Sequence, residues 1–140
     1  MRLLIKKIED ITLRLNVWFS VKQPTTQLTK EFPYQALNPV TQKQEVITGK
    51  EHIYDILMHC HAEATEKGYD VGEALYQQHF FFADTVQLYD VDCQNLIKKY
   101  IFCDTFKCPP YPSLQETPAE LIDNFLLIKR EIQKASVKDK

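Results

Sequence analysis

Glycine is scarce in this chain of 140 residues, which holds only Gly49, Gly68 and Gly72. Loops that cradle phosphate groups, and the first turn of dinucleotide-binding folds, need clustered glycines so that backbone N–H groups can approach the anion. Gly68 and Gly72 lie on either side of Tyr69-Asp70-Val71, a spacing that fits no such loop. The scarcity argues against a P-loop or Rossmann-type enzyme, and we expect the chain to bind no cofactor.

Long apolar runs are missing as well. The apolar start at residues 1–5 is interrupted by Lys6, Lys7, Glu9 and Asp10, so we expect no export signal. No window is long and apolar enough to predict a membrane span, and no membrane partner is expected. These patterns predict a cytoplasmic protein, in the host cytoplasm or the virion if a virus encodes it, whose four cysteines remain free thiols.

An excess of positive charge is a third missing feature. The 17 Lys and Arg residues are balanced by 19 Asp and Glu residues, which gives a formal net charge of −2. Proteins that bind nucleic acids usually present a basic face, because phosphate contacts supply most of the non-specific affinity. We therefore expect no nucleic-acid partner. The length, with 44% hydrophobic and 26% charged residues, predicts a single globular domain over residues 1–140.

Residues 3–21 show two competing periodicities. Helical spacing relates Leu4, Ile8, Ile11, Leu15 and Trp18. Strand-like alternation relates Ile11, Leu13, Leu15, Val17, Phe19 and Val21. Because β-branched and aromatic residues are abundant in the second half, we interpret the segment as a helix or strand up to Asp10, followed by a strand over Ile11–Val21.

Residues 22–47 contain three prolines, Pro24, Pro33 and Pro39, and no helical period. A structureless stretch of this length is unusual inside a compact domain. The segment is therefore predicted to form either a small hairpin with Asn38-Pro39 near its turn or an extended arm that reaches a partner.

Helical signals become clear from Thr48 onward. Thr48 and Glu51 have the spacing of a capping box, and Gly68 is a typical stop, so a helix is predicted over residues 49–67. Its apolar face contains Ile53, Ile56, Leu57, Cys60 and Ala64. Asp70 and Glu73 repeat the capping pattern and predict a second helix. The apolar stripe of that helix contains Val71, Ala74, Leu75 and Phe82.

Two more helices are predicted in the last third of the chain. The first covers Asp92–Phe106, with Leu96, Ile97, Tyr100 and Ile101 facing inward. A proline-rich loop at residues 107–116 follows, in which Tyr111 is expected to pack on the core. Thr117 as N-cap and Pro118 at the first helical position then predict the last helix. Its apolar stripe contains Leu121, Phe125, Ile128 and Ile132.

The predicted fold is mainly α, with about four helices packed as an irregular bundle after the N-terminal segment. If that segment forms strands, the class becomes α+β. Residues 135–140 are expected to form a flexible tail, because they lie at the end of the chain beyond the apolar stripe.

One polar helix face is a candidate metal site. The 49–67 helix projects His52, Asp55, His59, Glu63 and Glu66 on this face. Pairs such as Asp55 with His59 have the i, i+4 spacing that can hold one metal ion between two side chains. A solvated face with local charge pairing is the simpler interpretation, because no complete ligand set is visible. A metal-binding domain or metal-dependent enzyme using this face is the alternative function.

The cysteines are weaker candidates for a metal site or a catalytic nucleophile. Cys93, Cys103 and Cys108 could supply three zinc ligands, but structural zinc sites usually show paired, closer spacings, so buried free thiols are favoured. His59 and His61 flank Cys60, yet helix geometry directs them away from that thiol. No nucleophile has a visible base beside it, and we expect the chain not to be an enzyme.

Aromatic residues on two sides of a helix are the feature closest to function. Phe80 and Phe81 are predicted to project from sides that the second helix does not bury, and Phe102 and Phe106 do the same on the next helix. Exposed aromatic clusters mark interaction surfaces, unless Trp18 and Phe19 cover them. These four phenylalanines therefore predict a protein-interaction or assembly protein, such as an adaptor, an inhibitor or a small viral component, that binds a protein partner or forms a homo-oligomer.

Overall fold

The computed structural model describes residues 2–22 and 30–138. Within these ranges the chain is mainly helical, which confirms the predicted fold class, and one small antiparallel sheet accompanies the helices. The elements in chain order are α1 (Arg2–Lys22), β1 (Tyr34–Asn38), β2 (Lys43–Ile47), α2 (Lys50–Lys67), α3 (Val71–His79), α4 (Thr85–Leu88), α5 (Val91–Phe106) and α6 (Ala119–Lys138).

The central element is α1, which contacts each of the other five described helices. One side of it contributes Ile11, Leu15 and Phe19 to a core shared with the hairpin, α2 and α3. The other side contributes Leu13 and Val17 to a second core, shared with α5 and α6. Residues two apart on a helix point in nearly opposite directions. The predicted strand over residues 11–21 is therefore wrong, because the alternation comes from a helix buried on both sides.

Two buried polar side chains tie α1 to its neighbours. The Asn16 amide donates to the Leu88 carbonyl at 3.1 Å and accepts from the Asp90 N–H at 2.9 Å, which fixes the start of α5. The Glu131 carboxylate of α6 is fully buried and accepts from the Trp18 indole N–H at 3.2 Å and from the Arg14 guanidinium. These bonds satisfy groups that would otherwise destabilise the core.

The two strands form a hairpin in which Tyr34 pairs with Ile47 and Asn38 with Lys43. Residues 39–42 make the turn, which begins at Asn38-Pro39, and the Asn38 side chain accepts from the Val40 N–H at 3.0 Å. The Tyr34 hydroxyl donates to the carbonyl of Phe82 at 2.7 Å, which holds the hairpin against the segment after α3. The stretch with Pro24, at residues 23–29, lies outside the described residues.

The ends of α2 and α3 differ in part from the prediction. Gly68 ends α2 in the left-handed conformation, as expected, but the N-cap is Gly49, so the predicted Thr48 capping box is absent. Asp70 caps α3 and accepts from the Glu73 N–H at 3.2 Å, as predicted. The helix ends at His79, and the three phenylalanines that follow lie in a turn rather than in a continued helix.

The short helix α4 was not predicted. Asp84 and Gln87 form a capping box there, in which the Asp84 N–H donates to the Gln87 side chain at 2.8 Å. The helix is only four residues long, which is too short for an apolar period to appear in the sequence.

Two expectations about α5 and α6 are wrong. Ile101 was predicted to face inward but is 47% exposed, because it lines an open cleft beside Val21, near the end of α1. The expected flexible tail begins inside α6, which continues to Lys138 with Ala135 fully buried. The helix begins at Ala119, after Thr117, whose hydroxyl donates to the Ser113 carbonyl at 2.7 Å.

Candidate interaction surface

The outer side of α5 carries an aromatic pair. Phe102 and Phe106 are one turn apart, and their ring centroids are separated by 4.8 Å. Phe102 is 56% exposed and Phe106 is 65% exposed. Both lie on the side opposite Ile97, the only fully buried residue of this helix, because they follow it by five and nine positions. The rings contact each other and leave most of their apolar area open to solvent.

An apolar groove of about 380 Å³ lies between the proline-rich loop and the first half of α6. The loop contributes Pro109, Pro110, Pro112 and Leu114, and the helix contributes Leu121, Ile122, Phe125 and Leu126. Leu114 is 75% exposed and Leu126 is 56% exposed. Sequence reasoning missed this groove. Its one signal was Leu126, an apolar residue outside the stripe that α6 buries.

Two contacts join the loop and α6 to α5. The rings of Tyr100 and Phe125 meet edge to face with centroids 5.5 Å apart, which holds α5 against α6. The Lys99 ammonium lies 5.8 Å from the centroid of the Tyr111 ring, which ties the loop to α5. Tyr111 remains 37% exposed, so the expectation that it packs on the core is wrong. We call Phe102, Phe106 and the groove residues together the α5–α6 surface.

The other predicted aromatic pair lies just beyond α3 and is less open. Phe80 is 37% exposed, and its ring packs on Tyr76 and His79 with centroid distances of 5.4 Å and 3.9 Å. Phe81 is 53% exposed. Trp18 and Phe19, the alternative cover for these rings, are buried and pack on Tyr76 and His79, and they leave Phe81 exposed. Phe80 is thus partly a packing residue, and Phe81 is the freer ring.

The polar face of α2 does not assemble a metal site. His52 Nε2 lies 3.0 Å from Glu45 Oε1 of β2, and this hydrogen bond lowers the pKa of the Glu45 carboxyl. Asp55 and His59 line the same shallow cleft. Within residues 2–22 and 30–138, no group of three or more His, Cys, Asp or Glu side chains is arranged to hold a metal ion.

His79 is a core residue. It is fully buried, and its Nε2 lies 3.2 Å from the Thr85 hydroxyl while its Nδ1 contacts the Tyr76 carbonyl. Burial lowers the pKa of His79 to about 4, and the hydrogen bond to the Tyr76 backbone opposes that shift. The imidazole is therefore neutral at physiological pH.

The cysteines are unpaired in the structure. Cys60 is fully buried, as predicted, and burial raises the pKa of its thiol to about 12. Cys93 lies about 15 Å along α5 from Cys103 at the standard helical rise, so the two thiols cannot bind the same metal ion. Cys103 and Cys108 lie together at the end of α5.

Comparisons with protein-family models, curated proteins and solved structures found no match for this chain. A search of the described helices found none that is both long and apolar enough to cross a membrane.

Proposed function

We propose that this chain is a non-enzymatic interaction or assembly protein that binds a protein partner, or a second copy of itself, through the α5–α6 surface. The observation that carries the proposal is the exposure of large apolar side chains on three consecutive elements. The most exposed side chains of this surface are Phe102, Phe106, Leu114 and Leu126.

The exposed apolar area of this surface lies within the range of the largest patches on typical monomers. A large apolar or aromatic side chain that is about half exposed presents on the order of 100 Å², so these four side chains present roughly 400 Å². The largest apolar patch on a typical monomer is about 300–600 Å² and is often functional. A standard interface buries about 800 Å² on each partner, so this apolar area would supply much of one side.

The side chains of the α5–α6 surface are also of the types found at the centre of protein interfaces. Interface hot spots are enriched in aromatic anchors and in pockets that exclude water. The α5–α6 surface offers both, since Phe102 and Phe106 protrude as anchors and the groove beside Leu126 is concave. The balanced charge of the chain favours a protein partner over a nucleic acid.

The test replaces both exposed rings, as Phe102→Ser with Phe106→Ser. The matched control is Val46→Ser with Tyr69→Ser, two side chains of similar exposure, 54% and 58%, on β2 and just after α2. Both double variants should keep the thermal midpoint of the wild type within a few degrees, because mostly exposed side chains contribute little to the core. Molar mass from light scattering over a concentration series then reports self-association.

If the partner is a second copy, the wild type and the control should show a mass above that of the 16.4 kDa chain, and the Phe102/Phe106 variant should not. If the wild type is monomeric, immobilised wild type and control should retain a common set of proteins that the Phe102/Phe106 variant loses. Equal masses and equal retained proteins for all three chains would overturn the proposal.

The pair beyond α3 needs a separate variant. Phe81→Ser tests its role in binding cleanly, whereas Phe80→Ser also removes contacts with Tyr76 and His79. We expect Phe80→Ser to lower the unfolding free energy by about 1 kcal/mol through the lost aromatic contacts. Loss of self-association or partner capture in Phe81→Ser alone would move the interface from α5 and α6 to the end of α3.

A further inference from the structure

The end of α5 places two cysteines side by side. Lys107 adopts the left-handed conformation with φ 54°, and both its N–H and the N–H of Cys108 reach the carbonyl oxygen of Cys103, the latter at 3.1 Å. In this type of helix ending, the residue after the left-handed position folds back over the last turn and contacts the side chain five positions earlier. That contact is usually between apolar residues, but here cysteines occupy both positions, and the neighbouring Cys108 helps to raise the pKa of the Cys103 thiol.

We propose that Cys103 and Cys108 form a dithiol site that exchanges with low-molecular-weight disulfides and closes into an intramolecular disulfide. One protein thiolate attacks a sulfur of the small disulfide and expels one small thiolate, which leaves a mixed disulfide. The second protein thiolate attacks the protein sulfur of that mixed disulfide and expels the other small thiolate. In total, the two cysteines lose two protons and two electrons. The small disulfide takes up these protons and electrons and is released as two small thiols.

The helix ending favours the closing step. A disulfide needs its two Cα atoms within about 4.4–6.8 Å. The backbone hydrogen bond between Cys108 and Cys103 holds the two residues together without using their sulfur atoms. Because Cys108 folds back over the last turn of α5 toward Cys103, the second attack is intramolecular and joins two residues that the backbone already holds together. The site is independent of the proposed interaction, although it lies between Phe102 and the loop that lines the groove.

Accessibility separates this pair from Cys60, and a higher thiol pKa separates it from Cys93, which is half-buried like the pair. Cys103 and Cys108 are both half-buried and can be reached by a small reagent, whereas Cys60 is fully buried. Burial, with a contribution from Asp90, raises the pKa of Cys93 to about 12. The thiolate is the reacting species, so Cys60 and Cys93 stay protonated and unreactive near neutral pH.

The two reactive thiols also influence each other. Burial raises the pKa of Cys103, the charge and hydrogen bond of Cys108 raise it further, and Lys99 opposes these effects. A negative charge on Cys108 therefore disfavours a second negative charge on Cys103.

The experiment treats reduced, folded wild-type protein with oxidised glutathione near neutral pH. Remaining thiols are counted in denaturant, and intact mass and peptide mapping are measured. Before treatment all four thiols should be counted. Afterwards we expect a loss of two of the four, no retained glutathione and a link between Cys103 and Cys108.

Matched variants show which thiols react. Cys103→Ser and Cys108→Ser should each retain one glutathione per chain, because the closing thiol is gone. Cys93→Ser should still lose two thiols and retain none of the reagent. The proposal is overturned if the wild type keeps glutathione on both cysteines, links them between chains, or loses Cys60 or Cys93 instead.

Discussion

Gly72 is the glycine whose replacement should harm this fold most. It lies in the first turn of α3, where an added Cβ would be 2.3 Å from Glu131 Oε2 and 2.5 Å from Trp18 Nε1. Those two atoms are hydrogen-bonded to each other at 3.2 Å, and both side chains are almost completely buried. Neither can move aside without breaking that bond, so α3 can approach α1 and α6 this closely only with glycine at position 72.

The magnitude follows from opposing contributions. Alanine in place of glycine favours a helix by about 1 kcal/mol. Overpacking a closed site costs about 1–3 kcal/mol, and fully removing one partner of a buried ion pair costs about 3–5 kcal/mol. Gly72→Ala would weaken the contacts of Glu131 with Arg14 and Trp18 without removing them. We therefore expect a net loss of about 2–4 kcal/mol in the free energy of unfolding.

The other two glycines supply matched controls. A Cβ at Gly49 would meet nothing within 4 Å, and its φ of −179° suits any residue, so Gly49→Ala should change stability by less than about 1 kcal/mol. Gly68 has open space around it but a φ of 74°, so Gly68→Ala should cost about 1–2 kcal/mol through backbone strain alone. The three variants thus separate a steric clash from a conformational cost.

Urea unfolding followed by circular dichroism provides the assay, because the midpoint and slope together give the change in stability. The loss should be largest for Gly72→Ala, smaller for Gly68→Ala and smallest for Gly49→Ala. Adding Glu131→Ala should reduce the cost of Gly72→Ala, since Trp18 could then shift into the space that opens. If Gly72→Ala alone unfolds at or above the wild-type midpoint, the close packing of α3 on Glu131 is refuted.

Two further predictions concern stability. The pKa of His79 is about 4 in the folded chain and 6.5 in the unfolded chain, so below pH 6.5 only the unfolded state gains the proton. The free energy of unfolding should therefore fall by about 3 kcal/mol from pH 6.5 to 4. In His79→Gln the free energy of unfolding should depend less on pH over this range. An equal pH dependence in both proteins would contradict the buried, neutral state of His79. Phe125→Ala should cost about 2–3 kcal/mol by chemical denaturation, below the 3–5 typical of fully buried phenylalanine, because its ring is half-buried; an unchanged midpoint would show that α6 does not pack through this ring.

The helices with one buried face could be predicted from the sequence. All five residues of the predicted apolar face of α2 are buried, from Ile53 to Ala64, and Gly68 ends the helix as expected. A single buried stripe leaves a periodic trace in the sequence, and a glycine after it is a local signal. Thr48 is not the cap because α2 begins one residue later than predicted, with Gly49 at the N-cap, and a local pattern fixes a helix boundary only to within one or two residues.

The central helix could not be predicted from its periodicity. Ile11 and Leu13 are both buried because α1 has neighbours on two sides, and the sequence does not record how many neighbours a helix has. Val17 and Phe19 are residue types that favour strands, and this propensity led to the wrong prediction of a strand. Only the tertiary arrangement makes a helix the better solution for that segment.

The exposure of the aromatic pair on α5 could be predicted, but the groove beside it could not. The positions of Phe102 and Phe106 follow from the helical period relative to Ile97, and their exposure agrees with it. The groove beside Leu126 depends on how the proline-rich loop folds back over α6, which is a long-range property without a local signal. The packing of Phe80 on Tyr76 was missed, although residues four positions apart are neighbours on a helix and Phe80 keeps helical dihedral angles.

The place of α1 bears directly on the meaning of the aromatic pair on α5. Apolar residues on both sides of a helix indicate either a central position in the domain or a surface that a partner covers. A domain of this size has room for one central helix, and α1 occupies that position with contacts to the other five described helices. The helix α5 has a single fully buried residue, Ile97, so it is peripheral. Central burial therefore does not explain the exposure of Phe102 and Phe106, and this supports the proposal that the pair belongs to a partner surface.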